Sequence, residues 1–171
     1  PRPIIGYMGT INSTRLDGEL LYQIISQRPD YSFVFTGPED DIFRRNRIHS
    51  LKNAYFTGQK KVDELPAYIA AYDVCINPQM VNEITDGNYP LKIDEYLAMG
   101  KPTVATSTHT MRNIFAGHTH LAINPEEWLA AIDRAVTEAD DKELAKQRIA
   151  FAETHSWGHS VKKIYDIIDK F

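Results

Sequence analysis

The sequence predicts an α/β fold, in which a doubly wound, mostly parallel sheet of about six strands carries helices on both faces. Short apolar runs, each of a length that suits a strand buried on both faces, alternate with segments whose apolar residues have helical spacing. Glycine, proline and polar clusters separate the two kinds of segment. This alternation is typical of strand–helix–strand units, which place their strands parallel.

The first half of the chain contains four of the apolar runs. The predicted strands span residues 3–9, 31–37, 53–58 and 73–77. Between them we expect a helix over 16–28, a helix or helical loop over 41–52, and a helix over 62–72 with Pro66 in its first turn. Pro29 and Pro78 end the first helix and the fourth strand, since neither residue can continue the backbone hydrogen bonding.

The second half continues the pattern and ends in helices. A polar loop leads to a helix opened by Pro90, then to a strand over 101–106, a short helix near 111–116 and a strand over 120–123. From Pro125 onward the apolar spacing predicts a helical tail. Without an internal repeat or linker, residues 1–171 are expected to form a single domain. Because the chain starts without Met and runs directly into a strand, we expect a piece of a longer protein.

Composition excludes several classes of protein. Hydrophobic residues at 43% and charged residues at 25% are typical of a soluble globular protein and not of a disordered one. A net charge of −4 predicts no field that attracts nucleic acid. The single cysteine, Cys75, excludes an intramolecular disulfide, fits a reducing compartment, and is expected to be inert core. No apolar run approaches the roughly 20 residues of a membrane-spanning helix.

The predicted sheet also indicates where a ligand would bind. In the Rossmann strand order, 3-2-1-4-5-6, the sheet reverses direction between strands one and four, and ligands bind beyond the carboxyl ends of these strands. Here those ends continue into the loops over residues 9–15 and 78–89. The second loop leads directly into the helix that Pro90 opens.

The start of that helix suits an anion. Proline at the first helical position has no N–H to leave unpaired. The N–H groups of Leu91 and Lys92 are then expected to face the crevice together with the positive end of the helix dipole. Lys92 and Arg15 would add positive charge for a diphosphate.

Glu95 suggests the rest of the ligand. It shares a helical stripe with Leu91 and Ala98 and is therefore expected to be partly shielded from water. A partly buried carboxylate needs hydrogen-bond donors, and the vicinal diol of a ribose offers two. The pattern alone leaves a second interpretation open, in which Lys92 is solvated and Glu95 pairs with a neighbouring Lys or Arg.

One stretch of the chain, GNYPLKIDEYLAMGKPTVAT, resembles the donor-binding segment of GT-B glycosyltransferases, specifically of the retaining, group 1-like enzymes of family 4. Four further stretches resemble other parts of the same domain in the same order: GYMGTINSTRLDGELL, RPDYSFVFTGP, NAYFTGQKKVDELPAYIAAYDVCINP and HSWGHSVKKIYDII. The resemblance covers essentially the whole chain. It implies the C-terminal, Rossmann-like nucleotide-sugar half of a two-domain enzyme.

The resemblance also implies site residues. Glu95 matches the second glutamate of the family's Glu-x7-Glu pattern and implies a ribose contact, whereas the first glutamate would fall at Gly87. Thr10 stands where the family usually has Arg. The implied nucleotide-binding residues are Gly9, Thr10, Arg15, Gly58, Gln59, Lys60, Leu91, Lys92 and Glu95. Among them, Gly58, Gln59 and Lys60 correspond to the nucleobase contacts. The implied donor-sugar contacts are Asp86, which can substitute for the missing glutamate, Asn88 and Tyr89.

By resemblance, the expected function is transfer of a sugar from a nucleotide diphosphate sugar to an acceptor in bacterial polysaccharide or glycoconjugate synthesis, with retained configuration. Two alternatives remain: another GT-B enzyme, such as a sugar-nucleotide epimerase or a phosphorylase, and a non-catalytic nucleotide-sugar-binding module fused to a different enzyme. The isolated chain is expected to be inactive, because the acceptor site would lie largely in the N-terminal domain.

No cofactor or metal is expected. The first strand is not followed by the Gly-x-Gly-x-x-Gly pattern of a dinucleotide dehydrogenase, and His118 and His120 are expected to be surface imidazoles. The expected partners are the nucleotide diphosphate sugar and the N-terminal acceptor domain, without nucleic acid. The expected location is the cytoplasm, with association at the inner face of the membrane through that other domain. The basic cluster of Arg44, Arg45, Arg47 and Lys52 is expected to be a solvated face.

Overall fold

Six strands form one parallel sheet in the order β3-β2-β1-β4-β5-β6. The computed structural model describes residues 2–83 and 85–168, apart from the side chains of residues 157, 160, 163, 164 and 167. The strands are β1 (Ile4–Met8), β2 (Ser32–Thr36), β3 (Ala54–Gly58), β4 (Val74–Asn77), β5 (Thr103–Thr106) and β6 (His120–Ala122). This order confirms the predicted topology, in which the sheet reverses between β1 and β4.

Helices connect the strands and form the C-terminal part of the chain. They are α1 (Gly18–Ser26), α2 (Leu65–Ala71), α3 (Leu91–Ala98), α4 (Pro125–Thr137), α5 (Lys142–Glu153) and α6 (Trp157–Ile168). A 3-10 turn at Val62–Glu64 precedes α2, and a short π-helical turn spans Met111–Phe115. Among the described residues, none of the helices combines the length and the apolar content that crossing a membrane requires.

The segment expected as a helix or helical loop over 41–52 consists of two 3-10 turns, Phe43–Arg45 and Arg47–Ser50. Asn46 separates them, because its backbone is extended (φ −67°, ψ 142°). Its side-chain oxygen accepts a hydrogen bond from the N–H of Ile48 and so caps the second turn. A short polar side chain that bonds to the nearby backbone competes in this way with a continuous helix.

The core lies in two layers, one on each face of the sheet. Helices α1 and α4 cover the layer that contains Val74 and Ile76, and α2, α3 and α5 cover the layer that contains Cys75. Successive residues of β4 therefore face opposite layers, as strand geometry requires. Cys75 is fully buried, as expected, and this burial raises the pKa of its thiol. Consequently α1 and α3 leave the sheet on opposite faces.

Gly6 gives a test of how tightly the sheet packs against α2. A Cβ at this position would lie 2.1 Å from the ring of Tyr72. That ring is 2% exposed, and its hydroxyl lies 2.6 Å from the Thr36 hydroxyl. Because the ring has no free space, we expect Gly6→Ala to lower the free energy of unfolding by about 1–3 kcal/mol in urea denaturation.

Gly117→Ala is the matched control for this variant. A Cβ at Gly117 would meet no heavy atom within 4 Å, and we expect the stability of this variant to stay close to that of the wild type. If both variants were equally stable, the contact between Gly6 and the Tyr72 ring would not constrain the fold.

Candidate functional site

A cavity of about 480 Å³ opens at the carboxyl edge of the sheet, where the chain leaves β1 and β4. It is therefore located in the crevice that the strand order predicts. Its walls come from the end of β1, the loop after β1, the loop after β4 and the start of α3. The lining residues are Tyr7, Gly9, Thr10, Asn12, Arg15, Leu16, Gln79, Asn88, Tyr89, Pro90, Leu91 and Lys92.

The loop after β1 begins with a close approach between two backbones. The N–H of Gly9 donates to the Thr36 carbonyl at 2.9 Å. A Cβ at Gly37 would lie 2.0 Å from the Gly9 carbonyl oxygen, and both glycines have positive φ (133° at Gly9, 147° at Gly37). Since side chains cannot be placed there, the end of β1 presents bare backbone at the cavity, with the end of β2 packed against it.

Hydrogen bonds fix the rest of this loop. The N–H and the hydroxyl of Ser13 both donate to the Asp40 carboxylate at 2.7 Å. Backbone N–H groups, first that of Phe43 and then that of Ser13, hold the pKa of Asp40 below its usual value. The N–H of Met80 donates to the Arg15 carbonyl at 2.8 Å, which ties the loop after β1 to the loop after β4. The exposed side chain of Arg15 is thus carried by a constrained backbone.

Helix α3 presents its amino end to the cavity. Pro90 is the N-cap, one position earlier than expected, and the first helical hydrogen bond runs from the N–H of Ile93 to its carbonyl at 2.8 Å. Pro90 has no side-chain group that could cap the helix. Within residues 2–83 and 85–168, the N–H groups of Leu91 and Lys92 find no acceptor. Unpaired amides and a positive helix end are the elements of an anion site.

The ammonium of Lys92 lies against Tyr7. Its Nζ donates to the Tyr7 hydroxyl at 2.7 Å and lies 4.2 Å from the centre of the tyrosine ring. Burial lowers the pKa of Lys92 from 10.5 to about 8; the carboxylate of Glu95 opposes this change, and the charge of Arg15 adds to it. Lys92 is therefore half-buried and engaged, and the interpretation in which it is simply solvated is wrong.

The Glu95 side chain is exposed, so it is less shielded than its helical stripe predicts. The stripe that it shares with Leu91 and Ala98 faces the open edge of the domain, whereas α3 buries Ile93, Tyr96 and Leu97. Nearby protein atoms still remove part of the hydration of the carboxyl group, and this raises the pKa of Glu95 against the opposing effect of Lys92. Among the described residues no basic group forms an ion pair with Glu95, so the alternative ion pair is not formed.

The predicted donor-sugar residues divide into two sets. Asn88 and Tyr89 line the cavity, and the Tyr89 hydroxyl donates to Asp94 at 2.6 Å. Asp86 does not line the cavity; its carboxylate accepts a hydrogen bond from the N–H of His109 at 2.7 Å. The loop uses this carboxylate to hold the turn before Met111–Phe115, which sequence spacing could not reveal.

The residues assigned to the nucleobase by resemblance lie outside the cavity wall. Gly58 ends β3, and its carbonyl accepts from the N–H of Gly37 at 3.1 Å. Gln59 is exposed, and the Lys60 ammonium lies 5.4 Å from the centre of the Tyr68 ring. They therefore share the carboxyl edge of the sheet with the cavity, at a distance of two strand positions from β1.

Five lining residues were not among the predicted nucleotide or donor-sugar contacts: Tyr7, Asn12, Leu16, Gln79 and Pro90. Tyr7 lies inside an apolar strand and is indistinguishable there from a core aromatic. The one available signal is its hydroxyl, because a buried tyrosine usually needs a hydrogen-bond partner.

The remaining polar clusters have structural partners. His118 stacks on Phe151 with ring centres 3.8 Å apart, and His120 lies 3.0 Å from Glu138, so both imidazoles are half-buried and not the expected surface groups. In the part of the chain that the structure describes, no three His, Cys, Asp or Glu side chains are grouped as metal ligands. The basic cluster is exposed as expected, and Arg47 pairs with Glu19.

Comparison with known sequences identifies related proteins. The sequence model of the family described as "Glycosyl transferases group 1" matches residues 2–138. The chain is 27% identical over 167 residues to the putative teichuronic acid biosynthesis glycosyltransferase TuaH of Bacillus subtilis (strain 168). The match covers 94% of this chain and 42% of TuaH, so the chain spans less than half the length of that relative.

Comparison with solved structures confirms the fold. The sucrose-phosphate synthase of Thermosynechococcus elongatus superposes with a TM-score of 0.77 at 20% identity, over 98% of this chain and 45% of that one. The Anabaena protein HepE, in complex with UDP, superposes with a TM-score of 0.77 at 14% identity, over 99% of this chain and 49% of that one. The structure therefore has the expected Rossmann-like architecture of one half of a GT-B fold.

The burial of Lys92 predicts an unusual pH dependence of stability. Its pKa is about 8 in the folded state and has its ordinary value of 10.5 when unfolded, so between these values the unfolded chain binds more protons. The contribution of Lys92 to stability therefore rises with pH above about 8, and comparison with Lys92→Met removes the opposing effect of the buried Cys75 thiol, which is common to both proteins. We expect wild type to gain about 1–2 kcal/mol relative to Lys92→Met between pH 7 and about 9.5, measured by urea denaturation at each pH.

Two features keep this measurement specific. Burial raises the pKa of Tyr7, which would reduce stability only as pH passes its ordinary value of 10.0, so the titration stops below that pH. Lys52→Met removes an exposed lysine and controls for the loss of charge alone. If wild type and Lys92→Met showed the same dependence on pH, the ammonium would not be desolvated.

Proposed function

The chain belongs to the glycosyl transferases group 1 family, and from this premise we propose that it binds the donor of a glycosyltransferase. The proposed reaction transfers a sugar from a nucleotide diphosphate sugar to an acceptor, with retained configuration. One observation carries the proposal: at the switch point of the sheet, one cavity brings together the unpaired amides of α3, the half-buried ammonium of Lys92 and the side chain of Arg15.

The diphosphate would occupy the amino end of α3. There the N–H groups of Leu91 and Lys92 can donate to phosphate oxygens, and the two cations can neutralise the charge that develops on the leaving group. Such preorganised groups need little rearrangement when the glycosidic bond breaks. This role uses residues of the chain alone and requires no metal.

The ribose would lie against Glu95. Its carboxylate is exposed and unpaired among the described residues, so both oxygens can accept hydrogen bonds from a vicinal diol. Partial loss of hydration increases the stabilisation that each of these bonds contributes, because water solvates the unliganded carboxylate incompletely. The nucleobase would then extend toward Gly58, Gln59 and Lys60 at the end of β3.

The names of similar proteins support the substrate class. HepE was solved with UDP, and another structure of the same fold, a trehalose-6-phosphate protein of E. coli, was solved with UDP-2-fluoro glucose. The description of TuaH places that protein in teichuronic acid biosynthesis. By analogy, we propose a role in bacterial polysaccharide or glycoconjugate synthesis, in the cytoplasm or at the inner face of the membrane.

A second candidate function, a non-catalytic nucleotide-sugar-binding module, is favoured by one observation. Gly87 occupies the position of the family's first glutamate, and the neighbouring Asp86 uses its carboxylate to hold the N–H of His109. No acidic side chain of the loop over 85–90 therefore lines the cavity. Transfer by the full-length protein with nucleotide sugars and candidate acceptors would distinguish an enzyme from a binding module.

This chain alone is not expected to transfer sugar. In the proposed arrangement, a second domain would hold the acceptor in near-attack geometry, an effect worth about 7–11 kcal/mol of the barrier. The sheet that the described residues form would supply the donor side of that arrangement. Nucleotide binding is therefore the property to measure on the chain itself.

The ribose contact can be tested by calorimetry with UDP, GDP, ADP and TDP. We expect at least one of these nucleotides to bind, and Glu95→Ala to weaken it by about 1.5–3 kcal/mol, since the diol loses a charged acceptor. That loss corresponds to roughly tenfold or more in affinity. Glu126→Ala, on the exposed surface of α4, is the control and should leave affinity unchanged.

The outcomes have distinct meanings. If a nucleotide binds equally well to wild type and Glu95→Ala, the ribose lies elsewhere. If none of the four nucleotides binds, the proposed function itself is wrong.

The diphosphate contact can be tested by comparing UDP with uridine. Arg15→Ala removes a cation that only the phosphates would meet, so we expect it to weaken UDP several-fold and uridine hardly at all. Arg45→Ala removes an exposed arginine of the basic cluster and should affect neither ligand. Equal weakening of UDP and uridine by Arg15→Ala would contradict the assignment of this side chain to the phosphates.

A further inference from the structure

Tyr7 occupies an unusual position in the cavity. It belongs to β1, is 2% exposed, and places its hydroxyl at the cavity wall. The hydroxyl contacts two groups there, the Lys92 ammonium at 2.7 Å and the carbonyl oxygen of Thr10 at 3.0 Å. The proposed binding of a nucleotide sugar assigns no part to this residue.

The directions of the two hydrogen bonds follow from their chemistry. An ammonium can only donate, so the Tyr7 oxygen accepts from Lys92. The single proton of the hydroxyl then goes to the Thr10 carbonyl, which can only accept. Tyr7 thus links the loop after β1 to the lysine of α3, and its proton is not available to a ligand.

The path of the lysine side chain shows that its position is built into the site. A Cβ at Gly9 would lie 2.9 Å from Nζ of Lys92 and 3.4 Å from the Tyr7 hydroxyl. The glycine therefore leaves the space through which the ammonium reaches Tyr7. The tyrosine ring, 4.2 Å from Nζ, adds a cation–π contact beneath the charge.

We propose that Tyr7 is a positioning residue, which holds the Lys92 side chain in place and in its charged form so that a diphosphate meets a preplaced cation. The identity of the ligand, a diphosphate, rests on the proposed function. The contact between Tyr7 and Lys92 is independent of that function, because it exists without a ligand.

The charged groups around Lys92 explain why such a residue is needed. Burial disfavours the ammonium, and Arg15, from the loop after β1, repels it. Glu95, on the same helix, favours the charged form, but among the described residues it forms no ion pair with Lys92. In the part of the chain that the structure describes, Tyr7 is the side chain that directly accepts a hydrogen bond from the ammonium.

The lysine can be observed directly by NMR of protein labelled with 13C at the lysine side chains, with Lys92→Met to assign its signal. We expect the titration midpoint of Lys92 in Tyr7→Phe to fall below that of wild type by about one pH unit. That variant keeps the ring and removes only the hydrogen-bond acceptor. An unchanged midpoint would overturn the proposal.

Nucleotide affinity provides the second measurement. For UDP we expect Tyr7→Phe to match wild type within about twofold at pH 6.5, where Lys92 is charged in both proteins, and to bind about tenfold more weakly at pH 8.5. Because both proteins are compared at each pH, the titration of groups other than Lys92 affects them alike. An equal loss of affinity at both pH values would show that Tyr7 supports only the structure, and would overturn the proposal.

The two measurements separate this inference from the proposed function. The NMR midpoint is recorded without nucleotide. Suppose that the midpoint is lower in Tyr7→Phe but none of UDP, GDP, ADP and TDP binds. This result would support the positioning of Lys92 by Tyr7 and would reject the nucleotide site. Tyr7→Leu, which removes the ring as well, should lower the midpoint further, and Tyr7→Phe decides the question if the leucine variant does not fold.

Discussion

The divergence of the chain after β1 and β4 is the constraint on which the site depends. From β1 the chain crosses to α1 on one face of the sheet, and from β4 it crosses to α3 on the other. Two neighbouring parallel strands that end at the same edge but continue on opposite faces cannot close the space between them. The cavity, the open amino end of α3 and the meeting of Lys92 with Tyr7 all follow from this geometry.

Sequence patterns predicted the fold well, because each of its main determinants is local. Short apolar runs identify buried strands, and the alternation with helices implies parallel pairing. The order of the strands then located the crevice, and charge identified Arg15 and Lys92 within it. The segment over 41–52 was less predictable, since a single capping side chain, Asn46, decides between one helix and two turns.

Other properties of the site depend on tertiary contacts that periodicity does not encode. The spacing of Glu95, Leu91 and Ala98 shows that they share a stripe of α3, but only the placement of α3 on the sheet decides that this stripe is the exposed one. Asp86 has the right charge for a ligand contact, yet the backbone of the next turn takes its carboxylate. Tyr7 was missed because a tyrosine in an apolar strand looks the same in the sequence whether its hydroxyl lines a cavity or its ring only fills the core.

The site also holds polar groups in an environment that destabilises the empty fold. Lys92 carries its charge with incomplete hydration, and both polar atoms of Asn77, at the end of β4, are buried without a partner among the described residues. The amides of Leu91 and Lys92 at the start of α3 are likewise unpaired among the described residues. An anion that enters the cavity would pair with the Lys92 ammonium and with the amides of α3 at the same time. Ligand binding and folding are therefore linked: a diphosphate would satisfy the Lys92 ammonium and the amides of α3, though not Asn77, and the domain should become more stable as the ligand concentration rises above its Kd.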